Sequence, residues 1–318
     1  GNRLGFKGEE ALGNGLKAVF TLEYALELDK NAGVGSTGGL NARQQFVGLQ
    51  SQLGTVALGR QYAPGFDATA NNDALEATDM SIQSNFSVYA GNTITPNSPS
   101  RYNNSISYTS ANLSGLTLKA IYGFGENAVG GLNNTSTSDN GLLGLGVNYA
   151  RGPLNLDAVY HSRQNVTVGY PNPAGLGKDI NEWYVGGTYD FQVVKVYASY
   201  QGLHNNNDGA FYAIAPNNNF WTVGLTAPIG RGTFGIGYGR MTIDNKNIDN
   251  GNSWGAGLMY TYPLSKRTAL YAAYSYFSNS DTSINGSSIA NPGALIGALI
   301  GAPGESNFAI GAGLRHSF

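Results

Sequence analysis

The chain contains 318 residues with a formal net charge of −2, and 12% of them are charged, about half the share found in ordinary soluble domains. It has no cysteine, which excludes disulfides, thiolate catalysis and cysteine-ligated metal sites. The near-neutral charge balance argues against a nucleic-acid partner, which requires clustered lysine and arginine. The 46 glycines and 20 tyrosines, together with the few charges, are typical of β-rich envelope proteins.

Hydrophobicity alternates with a period of two along most of the chain. In residues 16–24 the even positions are apolar, whereas the odd positions include Lys17, Thr21 and Glu23. The same alternation recurs in three further segments, at residues 116–124, 154–161 and 307–318. Such a pattern predicts strands with one face in an apolar medium and the other in water.

We predict strands near residues 2–10, 16–28, 43–51, 55–61, 103–111, 116–126, 141–150, 154–163, 180–191, 194–204, 219–228, 233–243, 253–262, 268–278 and 306–318. Tight turns connect one set of neighbours. Long polar loops, at residues 29–41, 62–100, 127–140, 164–180, 204–219, 244–252 and 278–306, connect the other set. Short turns at one end and long loops at the other indicate an all-β fold, a transmembrane antiparallel β-barrel.

The strand count is odd, and the first strand ends in a short turn. Single-chain bacterial barrels usually have an even number of strands. We therefore expect one further strand before residue 2, which would give a single barrel domain over residues 1–318 with about sixteen strands. A barrel of that size encloses a water-filled lumen.

A soluble β-sandwich would show similar alternation. Aromatic residues near the ends of the apolar faces favour the membrane barrel, because they resemble interfacial girdles. They are Trp183, Phe191, Trp221, Trp254, Tyr260, Tyr262 and Tyr276.

Charged residues on the polar faces are candidates for the lumen lining, because an Arg or Lys facing lipid at the bilayer midplane costs about 2–4 kcal/mol. By strand alternation the lumen cations are Arg3, Lys7, Lys17, Lys119, Lys195 and Arg315. The loop at 62–100 is far longer than an ordinary connection and carries Asp67, Asp73, Glu76 and Asp79. If it folds inward, these acids oppose the cations of the wall; the alternative is a solvated external loop.

Several stretches, in order along nearly the whole chain, resemble a known family. They are residues 3–10 (RLGFKGEE), 12–18 (LGNGLKA), 43–49 (RQQFVGL), 54–61 (GTVALGRQ), 101–106 (RYNNSI), 264–271 (LSKRTALY) and the closing 313–318 (GLRHSF). With these motifs the chain resembles Gram-negative general diffusion porins of the betaproteobacterial and neisserial type.

The resemblance implies a sixteen-stranded homotrimeric pore in the outer membrane, in contact with lipid bilayer and lipopolysaccharide. It also implies that loop 3, here residues 62–100, folds into the lumen. It maps Arg3, Arg43 and Arg101 onto a basic cluster at the constriction. Arg43 shares its alternation with Val47, which should face lipid, so a bulge would be needed to turn it inward. Phe318 resembles the terminal aromatic residue read by the outer-membrane assembly machinery.

The expected function is passive diffusion of small hydrophilic solutes and ions, with a mild anion preference. Two alternatives stay open: a substrate-specific outer-membrane channel, and a barrel that serves as a scaffold or enzyme. We expect no enzyme activity, catalytic residue, cofactor or metal, because the three histidines are far apart in sequence and no nucleophile–base motif is present.

Overall fold

The structure is a computed structural model, which describes residues 1–26, 41–125, 136–167, 177–208, 215–244, 250–280 and 304–318. The described residues form fifteen strands in one antiparallel sheet, in which each strand pairs with its neighbours in chain order. Six of the seven expected long loops contain residues outside the described part. The seventh, at 62–100, is described throughout.

The first eight strands are β1 (Arg3–Gly13), β2 (Leu16–Ala25), β3 (Ala42–Ser51), β4 (Gly54–Tyr62), β5 (Arg101–Ser110), β6 (Leu116–Gly123), β7 (Leu142–Arg151) and β8 (Leu154–Arg163). The others are β9 (Ile180–Asp190), β10 (Lys195–Asn205), β11 (Asn218–Ile229), β12 (Gly232–Ile243), β13 (Gly251–Pro263), β14 (Thr268–Asn279) and β15 (Ser306–His316). All fifteen predicted strands are thus present. Among the described residues β1 does not pair with β15, and the further strand expected before β1 stays a prediction.

The two faces of the sheet differ as the alternation predicted. Val47 on the outer face is 62% exposed, whereas Ser105 on the inner face is buried. Near the long-loop end, the outer faces of β11–β14 carry a row of neighbouring rings. Its members are Trp221, Tyr238, Trp254 and Tyr276, with successive ring centroids 5.3–6.0 Å apart. Three members of the aromatic girdle expected from the sequence, Trp221, Trp254 and Tyr276, therefore lie in this row on the apolar surface.

At the short-turn end, the strands are joined by tight hairpins. Between β1 and β2 the residues Gly13, Asn14 and Gly15 all have positive φ angles, of 91°, 50° and 77°. Glycine and asparagine tolerate this left-handed region, which explains the Gly-Asn-Gly sequence of the turn.

Between β4 and β5 the chain forms an insertion, residues 63–100, which we call the inward loop. It contains two helices, α1 (Pro64–Asn71) and α2 (Ile82–Tyr89), and a 3-10 turn, Ser98–Ser100. Pro64 opens α1, and the Ser81 hydroxyl caps α2 by accepting a hydrogen bond of 3.0 Å from the Ser84 N–H. At its base the Ala63 N–H donates to the Ser100 carbonyl at 2.9 Å.

The sheet curves around the inward loop, so the apolar core lies inside it rather than between two layers. Helix α1 packs on β4 and on β6–β9, and α2 packs on β11–β13. Phe86 of α2 is fully buried, with its ring 5.7 Å from that of Phe220 on β11 and 5.8 Å from that of Phe277 on β14. The loop therefore folds into the lumen, as the resemblance implied.

Neither helix of the inward loop is long enough to cross a bilayer, and no helix in the described ranges meets the length and hydropathy of a membrane span.

Candidate functional site

A cavity of about 440 Å³ lies between α1 and the inner face of the first strands, on the side that the inward loop leaves uncovered. Its walls combine charged and aromatic side chains. The charged ones are Arg3, Glu23, Asp67 and Lys119. The aromatic ones are Phe46, Tyr62 and Phe66. The inward loop therefore narrows the lumen without filling it.

Arg43 enters this site through a bulge in β3. Glu23 pairs with Gln44, but Tyr24 pairs with Ala42, so Arg43 is the extra residue between two ladder positions. Its Nε lies 2.7 Å from Glu23 Oε1 and 3.0 Å from Tyr62 Oη, and only 7% of the residue is exposed. The bulge that the sequence required for an inward Arg43 is therefore present.

Arg101, which the resemblance placed in the basic cluster, also reaches this site. Arg101 and Ser105 are four positions apart, so regular alternation would place both side chains in the lumen. Gly59 pairs with Ser105 but Gln61 pairs with Tyr102, so an irregularity between them breaks the alternation, and alternation alone does not determine where Arg101 points. Arg101 instead begins β5 beside Tyr62, with its guanidinium carbon 5.7 Å from the Tyr62 ring centroid.

Arg3 completes a group that we call the arginine cluster: Arg3, Arg43 and Arg101. The Arg3 guanidinium lies 3.7 Å from Glu23 Oε2. In the described part of the chain Arg101 has no carboxylate at ion-pair distance, so Glu23 is the one acid paired with the cluster. The structure thus brings together the three arginines that the resemblance grouped.

Tyr62 organises the cluster, a role that was not predicted. Its hydroxyl donates to Glu23 Oε1 at 2.6 Å, and its ring stacks on Phe66 of α1 with a centroid distance of 3.8 Å. The only signal in the sequence was its position at the junction of a strand and a long loop.

The acids of the inward loop do not act as one group. Asp67 pairs with Lys119 of β6, and Glu76 pairs with Arg315 of β15 at 2.5 Å. Asp79 has no ion-pair partner among the described residues.

The fourth acid, Asp73, forms hydrogen bonds within its own loop. It accepts hydrogen bonds from the N–H groups of Leu75 and Ala77, at 3.0 and 2.9 Å, and so stabilises a turn of its own loop. Burial raises the pKa of the Asp73 carboxyl, while the hydrogen bonds that it accepts partly oppose that shift.

The remaining predicted residues lie away from the cavity. Lys7 is on the inner face of β1, and Lys17 pairs with Glu9 at 2.8 Å near the short-turn end. Phe318 is fully exposed, with its ring 4.8 Å from that of His316.

A buried polar contact on the opposite wall holds the inward loop. Glu182 of β9 is fully buried and accepts hydrogen bonds from the N–H of Thr93 at 2.7 Å, the hydroxyl of Thr93 at 2.9 Å and the N–H of Ile94 at 3.0 Å. Arg163 of β8 lies 3.1 Å from the same carboxylate. This contact fixes the loop segment after α2 against the sheet.

No cluster of three or more His, Cys, Asp or Glu side chains suited to a metal ion occurs within the described ranges. The site is instead a narrowed, charged passage inside an antiparallel sheet whose outer face is apolar. These features together define a membrane barrel of the channel-forming class.

Comparison with known proteins agrees with this class. The family model described as "Gram-negative porin" matches residues 1–282. Outer membrane porin protein 32 of Delftia acidovorans is 31% identical, over all of this chain and 84% of that protein. An outer membrane porin protein of Bordetella pertussis is also 31% identical, over 88% of this chain and 77% of that protein.

Among solved structures, a protein titled "Anion-selective porin from Comamonas acidovorans" superposes with a TM-score of 0.76 at 27% identity, over 99% of this chain and 89% of that one. The chain belongs to the Gram-negative porin family. It is an outer-membrane porin through which small hydrophilic solutes diffuse passively, and its relatives are transport channels.

Proposed function

We propose that the arginine cluster is the constriction of this porin and gives it a mild preference for anions. The observation that carries the proposal is the charge balance beside the cavity. Arg3 and Arg43 both pair with one carboxylate, that of Glu23, and Arg101 beside Tyr62 adds a third positive charge, while the charges of Asp67 and Lys119 cancel within their ion pair. A passing ion therefore meets a net positive wall.

The size of the preference follows from Coulomb's law. One unit charge about 7 Å from an ion in water contributes roughly 0.6 kcal/mol, so a net charge of two contributes roughly 1.2 kcal/mol. At 0.15 M salt the Debye length is about 8 Å, and screening removes more than half of this. We expect a preference of a few-fold, largest at low salt, rather than exclusion of cations.

The relative titled as anion-selective supports the sign of this preference. The other predicted lining residues then act at longer range. In this proposal Lys7 and Lys17 line the passage near the short-turn end. Arg315 and Glu76 narrow the lumen beyond the cavity. All belong to one barrel domain, residues 1–318.

Reversal potentials across planar bilayers in a KCl gradient test the proposal. The double variant Arg3→Gln, Arg101→Gln should lose most of the anion preference at low salt. Lys266→Gln, in the short turn between β13 and β14, removes the same kind of charge outside the lumen and should leave the reversal potential unchanged. Cation preference in the unmodified porin would refute the proposal.

We also propose that the porin works as a homotrimer in contact with lipid and lipopolysaccharide, as members of its family do. Small outward residues near the end of the chain, such as Ala312 of β15, allow close packing of a second barrel. Mass measurement of the detergent-solubilised protein should give three chains; a single chain would refute this assembly.

A further inference from the structure

The cavity beside the arginine cluster is lined by aromatic rings as well as charges. Phe46 points to the lumen from β3, and Phe66 points to it from α1; both are half-exposed. Tyr62 covers one face of the Phe66 ring, with the two planes inclined by only 1°. Neither phenylalanine is needed to make the passage wet or charged, so their presence in the lumen calls for a separate explanation.

The cations around these rings differ in how free they are to bind a solute. Arg43 is 7% exposed and held by Glu23 and Tyr62, so it acts mainly as a fixed charge. The side chain of Arg3 is 52% exposed, and its one ion-pair contact, to Glu23, is 3.7 Å long. Arg3 also lines the cavity, which Arg43 and Arg101 do not, so it is the guanidinium of the cluster best placed to form hydrogen bonds with a solute carboxylate there.

Half-exposed aromatic rings in a confined aqueous passage favour contact with another apolar surface, because that contact removes both from water. A small inorganic anion uses only the guanidinium groups, and an apolar neutral solute uses only the rings. A flat ring that carries a carboxylate uses both at once. Phe46, Phe66 and Arg3 line one cavity of about 440 Å³, enough for a single ring of this kind.

We propose that this cavity is a binding subsite for organic anions made of a flat apolar ring and a carboxylate. The carboxylate binds Arg3 and the ring packs against Phe46 and Phe66. The subsite rests on the proposed anion preference and extends it, because it makes the constriction select among anions of equal charge.

Block of the KCl current through the porin in planar bilayers measures this selection. Three probes separate the two parts of the subsite: benzoate, acetate as the anion without a ring, and benzyltrimethylammonium as the ring without negative charge. Benzoate should reduce the current at the lowest concentration. Phe46→Ala should raise its half-blocking concentration about fivefold, the effect of losing roughly 40 Å² of apolar contact. Tyr271→Ala, on the inner face of β14 outside this cavity, is the matched control and should leave the value unchanged.

Each outcome bears on one part of the proposal. Equal block by benzoate and acetate, or no effect of Phe46→Ala, would overturn the role of the rings. Equal block by benzoate and benzyltrimethylammonium would overturn the role of Arg3. The KCl reversal potential of the same preparations reports the anion preference separately. A porin that prefers chloride but does not distinguish benzoate from acetate would thus refute the subsite and leave the proposed function standing.

Discussion

The inner surface of the barrel has two regions, one that packs against the inward loop and one that faces the open passage. Strands β7–β14 form a covered wall, against which most of the inward loop packs. The inner faces of β1–β6 form an open wall that borders the cavity, and α1 of the loop contacts them at β4 and β6. The covered wall uses small residues to admit the loop. A Cβ at Gly235 would lie 2.6 Å from the carbonyl oxygen of Ala74, and one at Gly257 would lie 2.6 Å from Leu75 Cδ1.

The open wall uses long cationic and aromatic side chains, which reach into space that no backbone fills. The position of the loop therefore determines which part of the sheet sets ion selectivity. Charges that the loop covers contribute to its anchoring, whereas charges that it leaves uncovered act on passing ions.

The largest loss of stability should come from Glu182→Ala, which removes the acceptor that holds Thr93 and Ile94 to the covered wall. Removing one partner of a buried ion pair costs about 3–5 kcal/mol, because Arg163 is left uncompensated and three donors lose their acceptor. We expect a lower free energy of unfolding in detergent and a noisier single-channel current. Glu182→Gln, which keeps one carbonyl acceptor, should lose less; equal losses in the two variants would contradict this account.

An intermediate effect should come from Gly235→Ala. The added methyl group meets a backbone oxygen of the inward loop that cannot rotate away, and such overpacking costs about 1–3 kcal/mol. Gly311→Ala on β15 is the matched control, because its methyl would meet only the terminal methyl of Met80 at 3.0 Å. Its free energy of unfolding should stay within about 0.5 kcal/mol of the parent porin. Equal destabilisation by both variants would show that the loop does not press on the covered wall.

The smallest energetic effect concerns the ion pair between Asp67 and Lys119, whose side chains are 46% and 30% exposed. A double-mutant cycle with Asp67→Asn and Lys119→Gln should give a coupling of about 0.2–1 kcal/mol that decreases with salt. In reversal-potential measurements Asp67→Asn should strengthen the anion preference and Lys119→Gln should weaken it. A shift of the same sign in both variants would mean that this pair does not face the ion path.

The strands could be predicted from the sequence because lipid and water impose alternation residue by residue. β8 has the predicted bounds of 154 and 163 for this reason. The two helices of the inward loop were not predicted, since eight-residue helices of loop-like composition form only when the lumen buries them. Pro64 at the start of α1 and Ser81 at the cap of α2 were the available signals.

The site could be predicted in part. Alternation assigned Arg3 and Lys119 to the lumen, because no irregularity separates them from their strand neighbours. Alternation alone placed Arg43 on the lipid face, and it could not determine the orientation of Arg101, because both residues lie at or beyond a break in register. It also treated Asp73 as one of four equivalent acids, whereas hydrogen bonds to the neighbouring backbone determine its position.

The bulge at Arg43 has a consequence for how such pores diversify. In a regular strand, a charge gained by the channel requires a substitution at a lumen-facing position. At a bulge near a strand end, insertion or deletion of one residue moves a side chain between lipid and water while the rest of the ladder keeps its pairing. A length change of one residue at the junction of β3 with its preceding loop would therefore add or remove a constriction charge, so strand ends allow ion selectivity to evolve without altering the membrane-facing surface.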